Sequence, residues 1–211
     1  MPHQNRVTPD GELIAVPDRG TLTGNRGVLH DRDGRIVRRS VGRRWITCLL
    51  AFRDRHREVL APGRYTHLFF LDEATALAAG HRPCAECRRP AHLAFRQAWA
   101  LAHDLAAPPG VDAMDDVLHR ERALADGRRV TRPAPAGDLP DGTVVTADGD
   151  WWLVAAGQLH RWTPAGYAER RPLPAGDLPV LTPPATVAAL RAGYRPLLPD
   201  PLAVRTGRRP G

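Results

Sequence analysis

The chain has 211 residues, 43% of them hydrophobic and 25% charged, with a formal net charge of +7. That length accommodates one generous domain or two small ones, and it buries a core without help from disulfides. No apolar run approaches the roughly 18 residues of a membrane-spanning helix, and the polar residues 1–6 have no apolar stretch behind them to act as a secretory signal.

Every basic residue is arginine. Residues 26–57 hold ten arginines and three aspartates, an excess of +7; the remaining residues hold 20 arginines and 20 acids, which cancel. A positive field this local is what a polyanion-binding face requires. The competing explanation is a solvated, arginine-rich hairpin left by a coding bias towards arginine.

Residues 1–30, rich in Gly, Pro and Asp, read as short strands and turns. Strands are expected at 35–39 and 45–53, the second with Ile46, Cys48, Leu50 and Phe52 on one face by the two-residue period. Residues 53–57 read as a polar turn, and 65–71 as a further strand. Asp72 is placed to cap a short helix that Gly80 ends. Pro90 suits the first turn of a helix reaching about Leu105, with Phe95, Ala98, Trp99, Ala102 and Leu105 as its apolar stripe. Asp112 opens a third helix with Met114, Val117, Leu118 and Leu124 inward, stopped by Gly127. Residues 128–142 make the best linker. Beyond them, strands are expected at 143–146, 151–155 and 158–162, then a helix from Thr182-Pro183 to Gly193. The expectation is an α+β protein with an N-terminal zinc-stabilised hairpin and helix domain, 1–127, and a small antiparallel β-rich module, 143–198.

Two of the three cysteines are spaced as Cys84-Ala-Glu-Cys87. An odd count and this spacing argue against a disulfide framework and for a reducing, cytoplasmic setting, where such a pair binds metal or is redox-active. Two thiolates at this spacing both reach one tetrahedral Zn²⁺, but they supply only two of its four ligands. A redox role needs the pair at a helix N-terminus in a βαβ setting, which the preceding elements do not form.

The stretch from Phe69-Phe70-Leu71-Asp72-Glu73-Ala74 to Gly80-His81-Arg82-Pro83-Cys84-Ala85-Glu86-Cys87-Arg88-Arg89-Pro90 resembles the second half of the metal-binding domain of the Ada methylphosphotriester-repair proteins. The resemblance spans under a fifth of the chain. It implies a structural zinc held by Cys84 and Cys87, a DNA-facing basic surface, and a role in DNA repair or regulation. That family's first half supplies two more cysteines close together, one of them the methyl acceptor. Here only Cys48 precedes the motif, so methyl transfer is not expected. Cys48 and a histidine are the candidates to complete the shell, since Cys3His sites are common. His30 ranks first because Asp31 is placed to orient an imidazole, and His67 and His81 follow. Cys48 as a buried core thiol is the alternative.

The zinc loop is then expected to turn Arg82, Arg88 and Arg89, with Arg26, Arg38, Arg39, Arg43 and Arg44, towards the phosphate backbone of DNA. No membrane and no small-molecule cofactor is evident. Two other constellations carry weaker signals. Asp115, Asp116 and His119 could serve a metal-dependent nuclease, the alternative function, but they read more simply as a solvated helix face. Trp151, Trp152, Trp162 and Tyr167 could stack on bases, but they read more simply as the core of the β-module. A protein-interaction module is the third possibility.

Overall fold

The computed structural model describes residues 1–53, 59–61, 63–122 and 129–199. Among them are four helices and two six-stranded sheets, a mixed α+β architecture. The first part runs β1 (Gln4–Val7), β2 (Leu13–Ala15), β3 (Leu22–Asn25), β4 (Ile46–Leu49), β5 (Leu68–Phe70), α1 (Glu73–Ala78), β6 (Arg82–Pro83), α2 (Arg89–Ala102) and α3 (Val111–Arg122). The second runs β7 (Arg132–Pro135), β8 (Val144–Ala147), β9 (Asp150–Ala155), β10 (Gln158–Thr163), β11 (Gly166–Pro172), β12 (Asp177–Val180) and α4 (Pro184–Arg191). No helix among the described residues is long and apolar enough to cross a membrane.

The first sheet has the order β2-β1-β5-β3-β4-β6 and mixes antiparallel pairs with the parallel pairs β1/β5 and β4/β6. Its strands are short, and its segments from distant parts of the chain must meet closely. Gly24 shows how closely: a Cβ there would lie 2.2 Å from the Ile46 carbonyl oxygen of β4. The strand expected at 35–39 is reduced to a single bridge, His30 to Ile36, and the one expected at 45–53 ends at Leu49. The polar turn at 53–57 lies, apart from Arg53, outside the described residues, as do Leu124 and Gly127.

The second sheet, β11-β10-β9-β8-β12-β7, is mainly a meander. Its first two hairpins turn on Asp148-Gly149 and Ala156-Gly157, all four residues at positive φ. Such left-handed pairs match the twist of the flanking strands, and Gly149 and Gly157 adopt the conformation without a Cβ penalty. The expected linker at 128–142 contains an edge strand instead. In β7, Pro133 and Pro135 pair with β12, a position where a missing N–H is tolerated. β11 and β12 went unanticipated.

Helix α1 forms as expected. Asp72 accepts from the Thr75 backbone N–H at 2.8 Å, and Gly80 at φ 87 follows its end. All six of its residues are buried. It is the hinge of the architecture, because the two parts share cores through it. Leu77 joins Phe95, Trp99, Met114 and Leu118 with Ala189, Leu190 and Tyr194 near the C-terminus. Ala74 and Ala78 join Val144, Leu153, Ala155 and Leu181 of the second part. Trp162 and Tyr167 of the β-module serve this junction, while Trp152 packs in the module's own core. Trp162 Nε1 donates to Thr75 Oγ1 at 3.0 Å, and Tyr167 O–H donates to Asp72 at 2.7 Å. Trp152 and Trp162 are buried, which removes them from any base-stacking surface.

Candidate metal centre

Cys48 reaches Cys84 through strand register, although 36 residues separate them in sequence. Strands β4 and β6 pair in parallel, Ile46 opposite Arg82 and Thr47 opposite Pro83. The Cys84 backbone N–H then donates to the Thr47 carbonyl at 2.9 Å, carrying the ladder to the cysteine itself. Thr47 turns inward and is fully buried, so Cys48 turns to the other face. The chain turns at 84–87 before α2 begins at Arg89, which places Cys87 beside the other two. The Sγ atoms of Cys48, Cys84 and Cys87 all lie within 4.8 Å of one another.

Backbone amides support these sulfurs. The Glu86 N–H donates to Cys84 Sγ at 3.4 Å, and the Leu49 N–H is placed to donate to Cys87 Sγ. The thiols also share their protons. Hydrogen bonds from Cys48 and Cys87 hold Cys84 well below the ordinary thiol range, and the bond to Cys84 pushes Cys48 up. Thiols this close titrate together rather than singly. A thiolate is the form that binds metal.

The donor set fits a metal ion. Tetrahedral Zn–S bonds near 2.3 Å demand sulfurs about 3.5–4 Å apart, within the spread found here. Three thiolates also suit a soft or borderline ion rather than Mg²⁺ or Ca²⁺. Among the described residues this is the one group of three or more His, Cys, Asp or Glu side chains placed to share an ion.

His30 is not part of it. Its ring bonds Thr66 Oγ1 at 2.7 Å through Nδ1 and the Ala61 carbonyl at 3.3 Å through Nε2. Asp31 does not orient it either; its Oδ1 accepts from the Asp33 and Arg35 amides and closes a turn. His81 is buried against Phe70 and Trp45. His67 is the histidine that lines the same cavity as the three cysteines. That cavity measures about 380 Å³. Ile46, Cys48, Leu50 and Phe52, the face read from the two-residue period, line it together with Tyr65 and Phe69. The strand itself ends at Leu49, and Leu49 lines the cavity too, so the alternation holds only for Ile46 and Cys48.

The arginines divide sharply. Arg82, Arg88 and Arg26 turn inward instead of towards a phosphate surface. Arg82 makes a two-pronged pair with Asp115 at 2.8 and 2.7 Å. Arg88 Nη2 donates to Glu73 at 2.6 Å, and that carboxylate also accepts from Tyr194 O–H and the Leu197 amide. Each fork is buried beside carboxylates from other elements, because a guanidinium inside the protein needs its charge answered. No carboxylate among the described residues pairs with Arg26. It donates to His81 Nε2 and the Gly11 carbonyl, and its guanidinium lies 4.1 Å from the centre of the Trp45 ring. Burial, reinforced by Arg122, pulls its pKa down to about 9. Arg122 stands 3.8 Å from the same ring, so Trp45 is stacked against two cations.

Arg38, Arg39, Arg43, Arg44 and Arg89 are exposed. Arg39 pairs with Glu12, Arg43 with Asp116 and Arg44 with Asp112, so acids from outside residues 26–57 offset part of the local excess. The same pairings occupy the proposed nuclease carboxylates, Asp115 with Arg82 and Asp116 with Arg43, while His119 faces Arg122. Sequence reasoning missed the cavity and the Arg–Trp–Arg stack. Only the alternation from Ile46 to Phe52 pointed towards the former.

No family model matches the sequence, and neither the curated proteins nor the solved structures yield a match.

Proposed function

We propose that the protein is a zinc-binding protein in which Cys48, Cys84 and Cys87 hold one ion as thiolates. The observation that carries this reading is the gathering of the chain's three cysteines, from two distant segments, within 4.8 Å. Bound there, the ion would tie β4, next to the β6 edge of the first sheet, to the start of α2, and its binding free energy would be folding free energy. Metal analysis of the purified protein, with Cys84→Ser as the control, tests it. The variant is expected to lose the metal and the order of the segment around it.

The Ada-like stretch at 69–90 and the exposed arginines support a second, narrower reading: association with DNA phosphates in repair or regulation. Its specific support is that all six arginines between 32 and 44 are exposed. Arg38, Arg39, Arg43, Arg44 and Arg89 are the proposed contacts; Arg26, Arg82 and Arg88 are withdrawn from that role by their burial. Each phosphate engaged lowers log K by about 0.9 per decade of salt on duplex DNA. Replacing Arg38, Arg43 and Arg44 by Gln should therefore flatten the salt dependence by about two to three units. Equal losses on replacing Arg170, Arg171 and Arg191 would reduce the effect to general charge and end the DNA reading.

A further inference from the structure

Helix α2 buries Phe95, Ala98 and Trp99 in the core it shares with α4, and its opposite side faces solvent. Leu93, Gln97 and Leu101, at i, i+4 and i+8, form one outward ridge. Leu93 is 45% and Leu101 61% exposed. Beside the ridge lies a groove of about 540 Å³, lined by α2 residues from Pro90 to Leu101 and by Gly193, Tyr194 and Arg195 just after α4. From Pro90 to Leu101 the helix rises roughly 17 Å, three turns. The short side chains of Ala91 and Ala94 in the groove let another backbone approach closely, and the leucines offer it apolar surface.

The charge around this groove has one sign. The segments that form it, 88–103 and 184–199, contain five arginines, two histidines and no Asp or Glu. Arg88 turns inward to Glu73. Arg96 donates to the Pro108 and Pro109 carbonyls, Arg191 to the Asp138 carbonyl, and Arg195 to those of Leu190 and Tyr194. Neutral carbonyls satisfy these donors without cancelling their charge. Arg39, Arg43 and Arg44 differ, since each of them meets a carboxylate.

That sign selects the occupant. A second copy of the chain, seated face to face, would set arginine against arginine. Residues 200–211 carry three arginines and one aspartate, again the same sign. DNA would answer the charge through its phosphates but gain nothing from the leucines. We infer that the groove docks an acidic amphipathic helix of another protein. The apolar stripe of that helix lies on Ala94 and Leu101, and its carboxylates face Arg195 and Arg191.

The test titrates the full, ¹⁵N-labelled chain with helical probe peptides of about 16 residues, long enough to span the groove. The first has leucines at i, i+3, i+4 and i+7 and glutamates elsewhere. The second replaces the glutamates by lysines, and the third shuffles the first so that no stripe remains. The first should bind saturably and shift the amides of 91–101 and 192–195; the other two should bind at least about tenfold more weakly. Leu101→Glu, a change at an exposed position, should weaken the first peptide about tenfold or more. Arg195→Gln should weaken it about threefold and reduce the affinity lost on adding salt. Both variants should melt at the wild-type temperature, which separates lost binding from lost fold. Failure of the first peptide to bind, equal binding of the lysine peptide, or undiminished binding in Leu101→Glu would overturn the proposal. So would dimerisation that Leu101→Glu abolishes, which would seat a second copy in the groove. A short DNA duplex that shifts the same amides would overturn it too and make the groove a nucleic-acid face.

Discussion

The two six-stranded sheets are built to different rules. The second sheet joins neighbours in sequence through tight hairpins, and its core is a continuous apolar set including Val145, Trp152, Val154, Leu159 and Val180. The first assembles short strands from distant segments, with two parallel pairings, buried arginines and a cysteine cluster at its β4–β6 edge. Local hairpins recover their closure entropy quickly, whereas distant pairings must be held by something stronger at the seam. In the first sheet that role falls to polar groups: the cysteine cluster, the Arg82–Asp115 fork and the Arg88–Glu73 pair. Polar seams specify which segments meet, but each fails badly when one partner is lost.

Metal removal should break the contrast most severely. Structural zinc sites contribute on the order of 10 kcal/mol of apparent folding free energy, so chelation should unfold the β4–β6 edge and the start of α2. Hydrogen exchange should show amides of 46–49 and 82–92 losing protection while those of β8–β10 keep theirs. Uniform loss across both sheets would mean the shared cores make the chain one cooperative unit.

Asp115→Ala comes next. It leaves the Arg82 guanidinium, 4% exposed, without its partner, and should destabilise by about 3–5 kcal/mol in denaturant unfolding. The exposed pair Arg44–Asp112 marks the other end of the scale. Arg44→Gln should change stability by less than about 0.5 kcal/mol, since such pairs are screened by water and salt.

Between these lies an acid sensitivity at His81, next to the first sheet. Burial, reinforced by Arg26, holds the His81 imidazole well below its ordinary pKa, and its Nε2 accepts from Arg26 Nε at 3.2 Å. The unfolded chain protonates this histidine near pH 6.5 and the folded chain only at lower pH. Its contribution is therefore complete above about pH 6.5 and declines by up to about 1.4 kcal/mol per unit as the pH falls further. His81→Phe should remove that part of the slope; an unchanged slope would place the acid sensitivity in other groups, such as His92 and His119, whose pKa values burial also lowers.

Much of this was legible in the sequence where the signal is local. Asp72 and Gly80 bound α1, Asp148-Gly149 turns a hairpin, and the Cys84–Cys87 spacing marks the centre. The third sulfur was nameable because Cys48 is the one remaining cysteine, but its route is not local: it arrives by the parallel register of β4 and β6. The inward turn of Arg82 and Arg88 was illegible for the same reason. Their answering carboxylates, Asp115 on α3 and Glu73 on α1, become neighbours only in the fold. A charge count along the chain therefore overstated the basic surface. His30 misled because a histidine beside an aspartate looks like a ligand with its orienting partner, while Thr66, 36 residues away, holds the ring.

Metal content is the most direct measurement. Protein purified without added chelator, and its Cys48→Ser, Cys84→Ser and Cys87→Ser variants, would be assayed for zinc together with thermal unfolding. The expected result is about one zinc per wild-type chain and a marked loss of zinc and of melting temperature in each variant, as the proposal that every sulfur is a ligand requires. A metal-free wild type that melts at the temperature of its zinc-supplemented form would contradict the metal centre outright. Loss in Cys84→Ser and Cys87→Ser with full retention in Cys48→Ser would make Cys48 a packing thiol.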